Sequence, residues 1–216
     1  MAASTARKLL AILERLKECQ KLRDAPAMRL VHRYPRTPYT ILISVILSFR
    51  TKDEVTFAAA HRLFALATTP KEMVNVSRET IEEAIYPVGF YRRKAKTILR
   101  VSQELLNRFG GEVPASLAEL TSLPGVGPKA AKIVLERAFG KDVAAVDTHV
   151  HRLLNLWQIV KTKTPEQTDR ELEGLLPPGV ARGANRLLVA FGQQICRPTP
   201  PKCGECPIRH LVPCAP

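Results

Sequence analysis

The sequence has no apolar run long enough to cross a membrane. The longest, residues 41–47 with their flanks, falls far short of the roughly 20 residues that a span needs. No secretory leader is visible either, because the first 22 residues carry Glu14 and Glu18 among their Lys and Arg and have no unbroken apolar core. Nowhere do apolar and polar residues alternate for long enough to read as a strand, which argues against a sheet. No internal repeat and no low-complexity linker divides the chain. Acids are scarce: 20 Asp and Glu stand against 33 Lys and Arg, a formal net charge of +13. That imbalance favours a polyanionic partner, nucleic acid first, over the bland alternative of a merely soluble basic protein.

What is present reads as helix throughout. With 216 residues, 45% of them apolar, the chain can bury one large core or two small ones. Leu9, Leu10, Ile12, Leu13 and Leu16 recur at helical spacing, so a first helix is expected over residues 5–22. Thr37 and Pro38 pair as N-cap and first helical residue before an almost wholly apolar, hence central, helix. Asp53 is expected to cap residues 54–67 and Ser77 a short helix ending near Tyr86. A long amphipathic helix over residues 91–109 stops at Gly110 and Gly111. Ser116 and Glu119 form a capping box. Further helices are expected over 128–139, over 149–159 capped by Asp147, from Thr164 to about 175, and over 179–196. That makes roughly ten helices and no sheet.

The most specific stretch is Leu123-Pro124-Gly125-Val126-Gly127-Pro128-Lys129. Gly125 and Gly127 allow positive φ and close approach of another backbone, and Pro128 suits the first helical position. Free amides around residues 126–129 would then face outward at the positive end of a helix dipole, an anion site suited to a phosphodiester. The bland alternative is an ordinary glycine turn. Lys129 falls in the helix's first turn, where the dipole disfavours a cation and so favours the neutral, nucleophilic amine. It could instead be one more phosphate cation. Asp147 follows eighteen residues later. A helix about 17 Å long and a return segment spanning up to about 25 Å can bring it beside the helix start. It is equally a good N-cap.

Near the C-terminus lie Cys196-x6-Cys203-x2-Cys206-x7-Cys214, in a segment too rich in proline to be helix. With no leader in view, five cysteines argue against a disulfide framework and for thiols in a reducing compartment. Four thiolates here could hold tetrahedral zinc or an iron–sulfur cluster, and spacing does not choose. Cys19 reads as a core or half-buried residue with no metal role.

Residues 123–135 together with Val146-Asp147-Thr148-His149 resemble the helix-hairpin-helix DNA glycosylases, specifically the endonuclease III branch. Further likenesses occur in the expected order: Leu47-Ser48 with Thr51-Lys52-Asp53, Gly89-Phe90-Tyr91 with Lys94-Ala95, and the cysteine cluster. The resemblance implies an all-α, two-lobed fold. Residues 31–141 would form a helical barrel lobe ending in the hairpin helix. Residues 1–30 and 142–216 would form the second lobe, with a cluster loop at 196–214 and the substrate cleft between the lobes. It implies that Lys129 attacks the anomeric carbon of a damaged nucleotide and that Asp147 stabilises positive charge on the sugar. Relatives that only remove the base lack an amine at position 129. It also implies a [4Fe–4S] cluster on Cys196, Cys203, Cys206 and Cys214, although the last gap is two residues longer than the family's usual five.

An enzyme that works on a base must take it out of the stack, and something must fill the gap. The resemblance points to the loops carrying Arg50, where relatives commonly have glutamine, and Phe90, an apolar wedge or else a core residue. Arg92, Arg93, Lys94, Lys96 and Arg100 crowd a helix start, where cations are unfavourable without an anionic partner, so phosphate contacts are expected. His149 could touch a phosphate or be structural. The expected protein is a monomeric, cytoplasmic, nucleoid-associated prokaryotic enzyme acting on duplex DNA with damaged bases or abasic sites, with oxidised pyrimidines as the expected substrate. The alternatives are a mismatch glycosylase of the same fold, acting on adenine, thymine or uracil, or a non-enzymatic DNA clamp with a zinc knot.

Overall fold

The structure is a computed structural model describing residues 2–25, 28 and 34–213, with side chains from residue 4. Among these residues it contains eleven α-helices, two short 3-10 turns and no strand, in agreement with the all-α expectation. The chain divides into two compact units. One comprises Met1–Leu30 with Lys141–Pro216, and the other Val31–Gly140.

The second unit is built around α2 (Pro38–Ser48). Thr37 and Thr40 cap it reciprocally, each backbone amide donating to the other's hydroxyl at 3.0 and 3.2 Å. The helix buries Leu42, Ile43, Val45, Ile46 and Leu47, each worth roughly 1.5–3 kcal/mol of transfer free energy. The Tyr39 hydroxyl lies 2.6 Å from that of Ser102, so this buried polar group is satisfied. Around α2 pack α3 (Asp53–Phe64), α6 (Tyr91–Phe109) and α8 (Pro128–Phe139), while α4 (Pro70–Met73), α5 (Arg78–Ile85) and α7 (Leu117–Ser122) complete the unit. Asp53 is the first helical residue of α3 and does not cap it; Lys52 holds the cap position. α4 was not anticipated, although Thr69 and Glu72 form its capping box.

In the first unit, α1 (Ala2–Glu18) lays Leu9, Ile12, Leu13 and Leu16 onto a core centred on Trp157 and Phe191, whose rings lie 5.7 Å apart. It ends four residues before the expected limit, and a 3-10 turn (Gln20–Asp24) follows. Cys19 is half-buried against the same core. Next come α9 (Thr148–Leu156), α10 (Pro165–Glu173) and α11 (Ala184–Gln194). The last helix begins five residues later than expected. Gly179 and Gly183 both take left-handed φ, and Asp142 accepts from the amides of Gly179 and Arg182, holding this stretch as a turn.

Candidate active site

Lys129 is the second residue of α8, with Gly127 as its N-cap and Pro128 first in the helix. Its side chain is exposed, and the ammonium nitrogen lies 5.2 Å from the centre of the Phe49 ring. The approach to this helix is a tight turn in which the Val126 amide donates to Leu123 O at 3.2 Å. Leu123 and Val126 bury their side chains beneath the turn. The expectation that the Val126 amide is open to a phosphate is therefore corrected: that amide closes the turn. Those of Gly127, Lys129 and Ala130 have no acceptor among the described residues, because the first amides of a helix have no carbonyl a turn behind them. Open amides at a helix start are the kind of group that suits an anion. Gly125 has φ 77°, and a Cβ there would lie 2.8 Å from Thr97 Cγ2, so the turn sits directly against α6.

The two loops expected to part the base stack meet. Arg50 and Phe90 both hold left-handed backbone, φ 53° and 60°, a conformation that costs a non-glycine residue roughly 1–3 kcal/mol. The Arg50 guanidinium lies 5.6 Å from the centre of the Phe90 ring, which is 60% exposed. Phe90 is thus no core residue. A Cβ on Gly89 would come within 2.5 Å of Arg50 O, so the loops touch backbone to backbone.

Of the cations on α6, Arg92, Arg93, Lys96 and Arg100 are exposed. Arg92 stacks on Tyr91 at 5.3 Å and lies 3.9 Å from a Glu82 oxygen. Lys94 does not belong with them. It is 8% exposed and donates to Leu47 O at 2.7 Å, Phe49 O at 2.6 Å and Thr51 Oγ1 at 3.1 Å. Its expected phosphate contact is withdrawn, since an ammonium has three donors and all are engaged. The inner-face register of Ala95, Ile98 and Val101 already pointed that way. Phe49, which lies against Lys129, was not singled out. Its place just past the end of α2 was the available signal.

In the first unit, Asp147 caps α9, its Oδ1 accepting from the Val150 amide at 2.8 Å. Oδ2 has no hydrogen-bond partner among the described residues. The segment leading to it is pinned by Asp142 and by Asn185, whose amide donates to Ala145 O at 2.8 Å. His149 packs on α11: a Cβ at Gly192 would lie 2.8 Å from its Nδ1. That contact is structural.

Cys196, Cys203 and Cys206 line one cavity of about 360 Å³, floored by Trp157, Phe191 and Ile195 and rimmed by Arg152, Arg197, Lys202 and Arg209. Cys214 lies outside the described residues. Burial pushes the Cys206 thiol up, and the neighbouring Cys196 and Cys203 thiols add to the effect. Arg152 donates to Cys196 O at 2.5 Å and approaches its sulfur at 3.8 Å. Arg197 Nε is buried with no hydrogen-bond partner among the described residues. Among the described residues no three His, Cys, Asp or Glu side chains form a set for a single metal ion.

Residues 43–178 match the family described as HhH-GPD superfamily base excision DNA repair protein. Endonuclease III of Thermotoga maritima is 44% identical over 189 residues, covering 85% of this chain and 89% of that protein. Endonuclease III-like protein 1 of Mus musculus is 45% identical over 195 residues, 89% of this chain and 63% of that one. A solved non-covalent endonuclease III–DNA complex superposes with a TM-score of 0.84 at 30% identity, over 96% of this chain and 95% of that chain. The chain belongs to the HhH-GPD superfamily of base excision DNA repair proteins, in its endonuclease III branch.

Proposed function

We propose that the protein is a bifunctional DNA glycosylase and abasic-site lyase that removes oxidised pyrimidines from duplex DNA, with Lys129 as nucleophile. One observation carries the reading: an exposed primary amine stands in the first turn of the hairpin helix, beside three amides free to hold a phosphate. The amides of Gly127, Lys129 and Ala130 bind the backbone, while exposed Arg92 and Arg93 add charge on α6. Such contacts position the duplex and carry no sequence information.

The Lys129 nitrogen attacks C1′ as the glycosidic bond breaks, and the base leaves with the bonding electrons and takes up a proton. Ring opening yields an imine between Nζ and C1′. Loss of a C2′ proton then expels the 3′ phosphate, and water releases the amine. Asp147 stabilises the positive charge that develops on the sugar. Its cap to Val150 uses one carboxylate oxygen and leaves the other for this role. Arg50 and Phe90 occupy the space vacated by the displaced nucleotide.

The cysteine cavity fits a [4Fe–4S] cluster held by Cys196, Cys203 and Cys206, with Cys214 as fourth ligand. The three thiols share that cavity with apolar and cationic groups and with no acidic one. The four cations at its rim offset the negative charge of a thiolate-bound cluster, and buried Arg197 Nε has a donor to give. Such a group would order a segment with Pro198, Pro200, Pro201 and Pro207, which has little apolar core of its own. No helix among the described residues is long and apolar enough to cross a membrane. A nucleoid-associated enzyme of a prokaryotic cytoplasm, working as a monomer, accords with the reading.

Borohydride trapping on abasic-site duplex tests the assignment. The protein should form a covalent adduct that Lys129→Gln abolishes while still binding the duplex. An adduct persisting in Lys129→Gln would remove the nucleophile, and duplex binding with no adduct from the unaltered protein would favour a clamp. Iron and sulfide analysis of the same preparation tests the cluster, and zinc in their place would overturn it.

A further inference from the structure

Lys94 sits on the inner side of α6 with Ala95, Ile98 and Val101, and its three ammonium hydrogens reach Leu47 O, Phe49 O and Thr51 Oγ1. The Thr51 hydroxyl also accepts from the Gly89 amide at 3.2 Å and donates to Phe49 O at 3.2 Å. One nitrogen thus ties together the end of α2, the loop after it and, through Thr51, the turn that presents Phe90. That loop carries two functional contacts. The Phe49 ring lies under the Lys129 nitrogen, and Arg50 stacks on Phe90.

We propose that Lys94 is a positioning residue: its ammonium fixes residues 47–51, and that loop aligns the Lys129 amine and the Arg50–Phe90 pair against bound duplex. The inference rests on Lys129 being the nucleophile. It carries a pH dependence. Burial brings Lys94 down from 10.5 to about 8. A neutral amine keeps two hydrogens and gains a lone pair, so it cannot serve three acceptors, and one tether to the loop is lost. Ionisable groups on the elements around it include Arg50 in the loop, Lys52 and Asp53 at the start of α3, Glu82 on α5, Tyr91, Arg93 and Lys96 on α6, and Lys129 on α8. None of them hydrogen-bonds or ion-pairs with the Lys94 nitrogen.

Two signs separate positioning from general alkaline damage. An amine nucleophile alone makes imine formation rise with pH, because its neutral fraction grows; loss of the Lys94 proton makes it fall above about 8. Stability responds the other way. The folded pKa lies below that of the unfolded chain, so between about 8 and 10.5 the unfolded chain holds this proton more strongly. The Lys94 contribution to stability therefore rises across that window and is lost as pH falls back through it.

The test uses full-length, cofactor-loaded protein and single-turnover trapping on abasic-site duplex across roughly pH 6.5 to 9.5, a window set by the lowered lysine. Melting temperature and duplex affinity are measured on the same samples. Unaltered protein should show an alkaline fall centred near 8 without a parallel loss of stability. Lys94→Met should trap about 10- to 100-fold more slowly at neutral pH, the scale of a misplaced reacting group, and lack the alkaline fall. Lys94→Arg, which stays charged, should recover most of the rate and also lack the fall. A folded Lys94→Met that keeps both the rate and the alkaline fall overturns the proposal. If Lys94→Met does not fold, an alkaline fall retained in Lys94→Arg overturns it. If unaltered protein forms no adduct, the nucleophile assignment fails first and takes this inference with it.

Discussion

Gly125 and Gly127 look interchangeable as letters and are not so in space. Gly125 holds φ 77° with Thr97 Cγ2 at 2.8 Å from any added Cβ, whereas nothing lies within 4 Å of a Cβ at Gly127, whose φ is −86°. Gly125→Ala therefore meets both backbone strain and a clash, and should lose about 1–3 kcal/mol of stability in urea unfolding. Gly127→Ala should change stability by less than about 1 kcal/mol while weakening duplex binding, because in the proposed reading the open space before α8 takes the DNA backbone. Equal stability losses in the two variants would show that this division of roles is mistaken. Lys94 and Arg93 are a second such pair. A run of cations in sequence has no inside or outside; only the register of α6 buries one and exposes the other.

At the scale of elements, helix starts were the most legible part of the chain. Thr37, Ser77, Ser116, Asp147 and Thr164 all cap as expected, because a cap is a bond to an amide three residues away and needs no tertiary partner. Two misses were local, the overlooked α4 and the Asp53 cap; the late start of the last helix was not. α11 starts late because Asp142, some 40 residues earlier, holds the Gly179 and Arg182 amides in a turn. Asp147 joins a capping role to a proposed electrostatic one, and two substitutions separate them. Asp147→Asn keeps an oxygen for the Val150 amide and should melt close to the unaltered protein, yet trap at least about 100-fold more slowly. Asp147→Ala should lose the same activity and a further 0.5–2 kcal/mol or so of stability. Full activity in Asp147→Asn would leave Asp147 as a cap alone.

At the scale of the molecule, part of the +13 excess lies on one stretch of α6 beside the hairpin. Arg93 and Arg100 lie one turn on either side of Thr97, the residue against which the hairpin rests, and Lys96 adjoins them. None of the three has an acidic partner among the described residues. Replacing all three with Gln should flatten the plot of log affinity against log salt for duplex by about two to three units of slope, since each phosphate neutralised contributes about 0.9. An unchanged slope would mean that this face does not touch DNA. The same scale explains how the chain divides. The first unit joins its opening helix to segments more than a hundred residues on, as when Lys8 donates to Trp157 O at 3.0 Å.

The helical class, most of the caps, the hairpin with its lysine, and the family to which these belong were all legible in the order of the residues. Each of those depends on residues within a few positions of one another, or on motifs read in order. Tertiary structure alone decided that Lys94 is a buried tether, that the Val126 amide is spent within its own turn, that Arg50 stacks on Phe90, and that three cysteines line one cavity. Those outcomes turn on which groups lose water together. Burial is a property of elements packed from distant parts of the chain, and no local pattern encodes the partner that a buried donor will find.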